Sequence, residues 1–91
     1  MATPAFPRLG QGFRAEVTIV DNIHLVLMAT HTGVGPAAGV FDVKRQKWFK
    51  ERDWAEDIED AKQKAEALAR KHCYAVNPKE SFPQLRWTET G

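Results

Sequence analysis

Two consecutive stretches decide the fold, Phe13-Arg-Ala-Glu-Val-Thr-Ile19 and Ile23-His-Leu-Val-Leu-Met-Ala29. In the first, apolar and polar residues alternate, which is the period of a strand with one buried face. In the second, apolar residues occupy both alternating faces, which is typical of a strand covered on both sides or lying at a subunit contact. Asp21 and Asn22 between them favour a turn. The two stretches therefore predict an antiparallel hairpin.

The register of this hairpin is left open by the sequence. A two-residue turn would pair Ile19 with His24, whereas a three-residue turn would pair Ile19 with Leu25 and Val17 with Leu27. Because the side-chain period of a strand is two, the two registers place different side chains in the core.

Two further strands are predicted downstream. Residues 32–39 contain three glycines and a proline, so we expect a loop. They do not match the phosphate-binding loop pattern, since no Gly-Lys-Ser or Gly-Lys-Thr follows. Residues 40–44 and 47–51 then predict a second hairpin around Lys44-Arg-Gln-Lys47.

From Asp53 onward the period of the pattern changes to that of a helix. Asp57, or alternatively Asp53, is expected to cap its N-terminus, and the helix is expected to stop near Cys73, before a short extended piece at 74–76. The residues that recur at three- and four-residue spacing predict its buried face: Ile58, Ala61, Ala65, Leu68, Ala69 and His72.

These elements predict an α+β fold of two layers, in which an antiparallel sheet of three to four strands carries one helix on one face, in the order ββββα. Residues 1–10 are predicted to be a flexible arm, 11–76 a single domain and 77–91 an extended tail that packs on the domain or on a partner. The predicted core consists of the inward positions of the periodic segments: Phe13, Val17, Ile19, Leu25, Leu27, Val43, Ile58, Ala65 and Leu68.

The order of antiparallel strands followed by one helix, over roughly residues 38–72, resembles the plan of small sheet domains that read DNA with their strands. AP2-type and integrase arm-binding modules are examples. The resemblance is one of topology, and no site residue is carried over from it.

Composition narrows the class of protein. A chain of 91 residues with 43% apolar and 27% charged residues has room for one modest core, and disorder is not expected. No apolar run approaches the length of a membrane span, so no membrane association is predicted. The single cysteine, Cys73, and the lack of a signal-peptide pattern predict a reducing, cytoplasmic location.

The charge distribution is uneven although the net charge is only +1. Residues 44–52 carry five cations against one carboxylate, whereas residues 53–66 carry six carboxylates against two lysines. Cations interleaved with aromatic rings are typical of single-strand nucleic-acid binding, so one hypothesis is a nucleic-acid surface on the hairpin 44–54. Phe49 belongs to the same stretch, and the candidate residues are Lys44, Arg45, Lys47, Trp48, Lys50, Arg52 and Trp54.

Two observations favour a structural explanation of that hairpin instead. Alternation requires either Trp48 or Phe49 to point into the core. The acidic stretch that follows in sequence is expected to cancel part of the positive charge at distances near the screening length, about 8 Å at physiological ionic strength. Nucleic-acid binding is therefore the alternative and not the leading prediction.

Catalytic and metal sites are not indicated. His24, His31, His72 and Cys73 show no zinc-ligand spacing, and the acidic residues lack the spacing of a calcium loop. His72 and Cys73 are sequence neighbours, which point about 100° apart on a helix and do not form a catalytic pair. We expect no metal, no cofactor and no enzymatic activity.

The leading prediction is a small non-enzymatic interaction protein, acting through a protein partner or as a homodimer, as an accessory or inhibitory factor. This prediction is based on the second strand, which is apolar on both faces. A single helix covers only one face of the sheet, so the apolar residues on the other face have no evident cover. A third hypothesis is a small-molecule-binding or enzymatic dimer. The candidate interaction residues are Val26, Met28, Phe82, Leu85 and Trp87.

Overall fold

The computed structural model describes residues 12–19, 23–76, 78–79 and 81–90. The predicted arm, residues 1–10, lies outside them. The elements follow one another as β1 (Gly12–Ile19), β2 (Ile23–Thr32), β3 (Gly35–Asp42), β4 (Lys47–Trp54), α1 (Ile58–Val76) and β5 (Thr88–Thr90).

The strands form one antiparallel sheet in the order β4-β3-β2-β1-β5, and α1 packs on one face, mainly over β2 and β3. The predicted two-layer α+β fold is confirmed, as is the order ββββα. The sheet has five strands instead of three to four, because the tail adds a short one.

The main core lies between α1 and the sheet. The fully buried residues of the helix all have small side chains and recur at four-residue intervals: Ala61, Ala65, Ala69 and Cys73. The sheet contributes the larger side chains from alternate positions of its central strands: Ala15, Val17, Ile19, Ile23, Leu25, Leu27, Ala29, Ala38 and Val40.

Five of the nine predicted core residues are buried in this core: Val17, Ile19, Leu25, Leu27 and Ala65. Ile58 and Leu68 are only half-buried at its margin, because the buried stripe of α1 is narrow. Phe13 is also half-buried, and its ring lies under the ammonium group of Lys62, 3.8 Å from the ring centroid. Val43 packs on the other face of the sheet.

A second, smaller buried cluster covers the face of the sheet opposite α1. It consists of Val26, Met28 and Phe41, with Val43 and Trp48 packed against it. Val26 is 0% exposed and Met28 5% exposed. Of the two explanations left open for the doubly apolar β2, coverage on both faces is the one observed. The expectation that Val26 and Met28 lack a cover in the single chain is wrong.

The observed register of β1 and β2 is neither of the two considered. Ile19 pairs with Ile23 and Val17 pairs with Leu25. This register places the alternate apolar residues of both strands on the face that α1 covers, which the pairing of Ile19 with His24 would not do.

The glycine-containing segment 32–39, expected to be a loop, is mostly strand. Its turn is confined to two residues, and β3 begins within the segment. Gly39 lies where β4 approaches closely, because a Cβ atom there would be 2.9 Å from the carbonyl oxygen of Glu51 and 3.0 Å from the Trp48 ring. Glycine inside a strand here indicates a close approach, not a loop.

The N-terminus of α1 is capped by Asp57. Its Oδ1 accepts a hydrogen bond from the backbone N–H of Asp60 at 2.8 Å, and its carbonyl accepts one from the N–H of Ala61 at 2.9 Å. These bonds satisfy donors that the first turn of a helix leaves without partners. Of the two predicted caps, Asp57 is therefore the one used.

The helix runs three residues past its predicted end at Cys73. It ends at Val76, so residues 74–76 are helical and the predicted extended piece is wrong. The first residue after Cys73 that opposes a helix is Pro78, which disfavours helical geometry in the residue before it. None of the described residues belongs to a helix with the length and apolar character needed to cross a membrane.

The tail packs on its own domain. Phe82, Leu85 and Trp87 are half-buried against the main core. Beyond them, Thr88 pairs with Arg14 on the outer side of β1. The tail thereby extends the sheet and covers one end of the core.

Candidate functional site

The basic hairpin, defined as residues 44–54, comprises most of the β3–β4 turn and all of β4. β4 is an edge strand of the sheet. All five cationic residues of the hairpin are exposed: Lys44, Arg45, Lys47, Lys50 and Arg52. Cations on an edge strand also discourage pairing with another sheet, so their exposure by itself does not indicate a ligand.

The aromatic residues of the basic hairpin have different environments. Trp48 is half-buried and meets Phe41 edge to face, with ring centroids 5.3 Å apart and an interplanar angle of 78°. Phe49 is 38% exposed and Trp54 49% exposed. The prediction that Trp48 or Phe49 points inward is confirmed by Trp48, and the other two rings offer surface to a ligand.

The pairing of β4 with β3 is irregular at Phe49. Phe41 pairs with Trp48, whereas the preceding residue of β3, Val40, pairs with Lys50. Phe49 is therefore an extra residue in β4, and such a bulge bends the strand and increases its local twist.

A cleft of about 410 Å³ lies beside this bulge, where the β3–β4 turn meets α1. Its volume is within the range of small-ligand sites, about 300–1,000 Å³. The Phe49 ring lies against the imidazole of His72, with centroids 4.7 Å apart and planes inclined by 41°. Six residues line the cleft: Asp42, Arg45, Lys47, Trp48, Phe49 and His72.

The carboxylate of Asp42 connects the turn to the helix. Its side chain is only 2% exposed. Oδ1 accepts a hydrogen bond from the backbone N–H of Arg45 at 3.0 Å, and Oδ2 accepts one from Arg45 Nη1 at 3.0 Å. The Nε2 atom of His72 lies 3.0 Å from the same Oδ2. One buried carboxylate thus orients two side chains of the cleft.

The ionisation of Asp42 follows from these contacts. Burial by itself would raise its pKa, because a charged form is disfavoured away from water. The backbone N–H and guanidinium of Arg45 and the ring of His72 outweigh burial and hold the pKa below its ordinary value. Asp42 is therefore an anion at neutral pH, and its charge is compensated inside the cleft.

Most cations of the basic hairpin have no carboxylate partner in the described part of the chain. Arg45 pairs with Asp42. Four others form no ion pair with any described residue: Lys44, Lys47, Lys50 and Arg52. An external anion would not have to break an internal ion pair to reach them.

The first carboxylate of the acidic stretch is remote from the turn end of the hairpin. Lys47 and Asp53 stand six residues apart on β4, which corresponds to roughly 20 Å at a strand rise of about 3.3 Å per residue. That separation exceeds the physiological screening length of about 8 Å. Asp53 therefore does not cancel the charge of Lys47, and cancellation by the rest of the stretch stays a prediction.

The five predicted interaction residues do not form one surface. Val26 and Met28 are buried in the cluster opposite α1. Phe82, Leu85 and Trp87 pack against the core on the α1 face. The sheet itself separates the two groups.

The remaining candidate chemistry has structural explanations. Cys73 is buried, and burial together with the charge of Asp42 raises the pKa of its thiol, so the thiolate is disfavoured. His72 contacts Asp42, and His24 Nε2 lies 2.6 Å from Glu16 Oε2. Within the described ranges, no group of three or more potential ligands is placed to hold a metal ion.

Sequence reasoning singles out neither Asp42 nor His72 as a site residue. One feature of the sequence could have indicated a role for Asp42, because an aspartate just before a turn often accepts a hydrogen bond from a backbone N–H within that turn. His72 had another, because a histidine on the buried stripe of a helix needs a polar partner. Neither signal indicates that the two residues meet across thirty positions of sequence.

No protein-family model matches this chain, and comparison with curated proteins and with solved structures finds no similar protein.

Proposed function

We propose that this protein is a binding module, not an enzyme, and that it binds nucleic acid through the turn end of the basic hairpin, residues 44–50. One observation carries the proposal: exposed lysines that lack described carboxylate partners lie along residues 44–50, and one of them, Lys47, lines a cleft together with aromatic rings. Nucleic-acid binding by the hairpin, the alternative indicated by the sequence, is therefore the function that we propose.

The physical basis is the charge of the nucleic-acid backbone. A lysine that approaches a phosphate releases condensed counterions, and this release supplies most of the non-specific binding free energy. Lys44, Lys47 and Lys50 contribute to such binding without losing internal ion pairs. The exposed ring of Phe49 adds a face on which a base stacks.

The test is titration of a fluorescent single-stranded oligonucleotide at several salt concentrations, followed by anisotropy. The wild-type protein is expected to bind at low salt, with log affinity falling linearly against log salt. The variant carrying Lys44→Gln, Lys47→Gln and Lys50→Gln is expected to bind more weakly and to flatten that slope by about 2, since each single-strand phosphate contact contributes about 0.7.

A matched control removes three cations elsewhere on the chain, through Lys64→Gln, Lys79→Gln and Arg86→Gln. Its net charge equals that of the hairpin variant, so a general effect of charge would weaken both equally. Equal losses in the two variants, or no binding by the wild-type protein at low salt, would refute the proposal.

The alternative of an interaction protein, acting through a protein partner or a homodimer, stays a prediction. It is supported by the partly exposed apolar side chains of the tail, Phe82, Leu85 and Trp87. Its other support, bare surface at Val26 and Met28, is removed by the burial of both side chains.

A further inference from the structure

The cleft beside the bulge of β4 combines a planar ring with cations. Phe49 is 38% exposed, and its ring is positioned by contact with the imidazole of His72. Lys47 lines the same cleft, and Lys44 is exposed in the adjoining turn. A ligand that satisfies both features has a flat apolar part and an anionic part.

The buried carboxylate in the cleft does not oppose such a ligand. Both oxygens of Asp42 accept hydrogen bonds within the protein, from Arg45 and His72, and its side chain is only 2% exposed. The guanidinium of Arg45 compensates its charge. Asp42 therefore acts as a positioning residue, and the exposed charge near the cleft is positive.

We infer that this cleft is a subsite for one unstacked nucleotide, with the base against Phe49 and the adjacent phosphate near Lys47 and Lys44. The inference rests on the proposed function and goes beyond it by naming the substrate class. A volume of about 410 Å³ accommodates a single unit of a chain and not a base pair held in a helix.

Selectivity for single strands follows from this geometry. A base in a duplex is stacked and paired, so it reaches a pocket only at the cost of unstacking. A base in a single strand stacks on an aromatic side chain whatever its identity. The protein is therefore expected to prefer single strands to duplexes and to show little preference of sequence.

The experiment compares a single strand with its duplex, using three variants. Phe49→Leu removes the aromatic face and keeps the charge, Phe49→Tyr keeps the face, and Trp54→Leu is the matched control at the far end of β4. Phe49→Leu is expected to weaken single-strand binding about tenfold, within the range for losing one stacked base. Phe49→Tyr and Trp54→Leu are expected to remain within about threefold of wild type.

Two further readouts separate this inference from the proposed function. The salt slope of Phe49→Leu is expected to equal that of the wild-type protein, because no phosphate contact is lost. Thermal unfolding of each variant reports whether the fold is retained.

If Phe49→Leu binds like wild type and duplex binds as tightly as single strand, while the triple lysine variant still weakens binding, the nucleotide subsite is refuted and the proposed function survives. If the wild-type protein binds no oligonucleotide at low salt, both are refuted. A loss in Trp54→Leu equal to that in Phe49→Leu would assign stacking to the strand as a whole and would also refute the subsite.

Discussion

Asp42 is the last residue of β3. Its buried carboxylate accepts hydrogen bonds from Arg45, three positions later, and contacts His72, thirty positions later. Its folded pKa lies below the ordinary value despite burial. A carboxylate with a depressed folded pKa stabilises the native state above the unfolded pKa, about 3.9 for aspartate. That stabilisation is lost as the pH falls through the lower folded value.

Asp42→Asn is accordingly expected to be destabilising at neutral pH, by about 1–3 kcal/mol, because the charged acceptor of two partners is removed. The difference from wild type is expected to shrink as the pH falls below the unfolded pKa, about 3.9, and through the lower folded pKa of Asp42. Urea unfolding at a series of pH values measures it, with the exposed Glu51→Gln on β4 as control. A deficit that stays constant across that range would show that the charge of Asp42 contributes nothing.

At the level of the element, α1 depends on the groups at its N-terminus. The carboxylate of Asp57 accepts the N–H of Asp60, whereas Asp53 belongs to β4. Both residues are acidic and precede the helix, so charge alone does not distinguish them. The hydrogen bond does, because only a residue at the cap position reaches the free N–H groups of the first turn.

Asp57→Ala is expected to lower the free energy of unfolding by about 1 kcal/mol, the usual cost of losing a helix cap. Asp53→Ala removes the same charge four residues earlier and is expected to cost clearly less. Thermal or urea unfolding of the two variants compares them directly. Equal losses would mean that the interaction of negative charge with the helix dipole, and not the cap, is what stabilises the start of α1.

β4 illustrates how the two faces of a strand contribute to one site. Trp48 packs in the cluster opposite α1, whereas the ring of Phe49 lies against His72 of α1. Successive residues of a strand point to opposite faces, so alternation accounts for both positions. The cleft lies at the edge of the sheet where these two residues meet the β3–β4 turn.

For the molecule as a whole, the sheet is covered on both faces of its centre. Val26 belongs to the cluster opposite α1 and is 0% exposed. Its role in the single chain is therefore packing. Surface apolar residues, in contrast, remain on the β2–β3 turn, where Val34 is 80% exposed.

Val26→Ala is expected to destabilise the fold by about 2 kcal/mol, because two buried methyl groups are lost and a cavity remains. The exposed Val34→Ala is the matched control and is expected to change stability by less than about 0.5 kcal/mol. Neither variant is expected to change the mass measured by sedimentation. If Val26→Ala alone changed the mass measured by sedimentation, β2 would have to contribute to an interface between subunits.

Four of the five strands, the helix and their order follow from local pattern, since the alternation in Phe13–Ile19 and the three-to-four spacing after Ile58 each occur within one element. The residues before α1 likewise indicate a cap at Asp57 or Asp53. These features are local, and local periodicity in hydrophobicity is sufficient to indicate them.

The tertiary structure alone decided the register, the strand character of the glycine-rich segment and the site. Ile19 pairs with Ile23 and not with Leu25, although both pairings place the same alternate residues on the face of α1, and Gly39 is required by the approach of β4. The contact of Asp42 with His72 joins two elements through their packing on the same sheet. Such contacts depend on distances between segments remote in sequence, and the periodicity of a single segment contains no information about them.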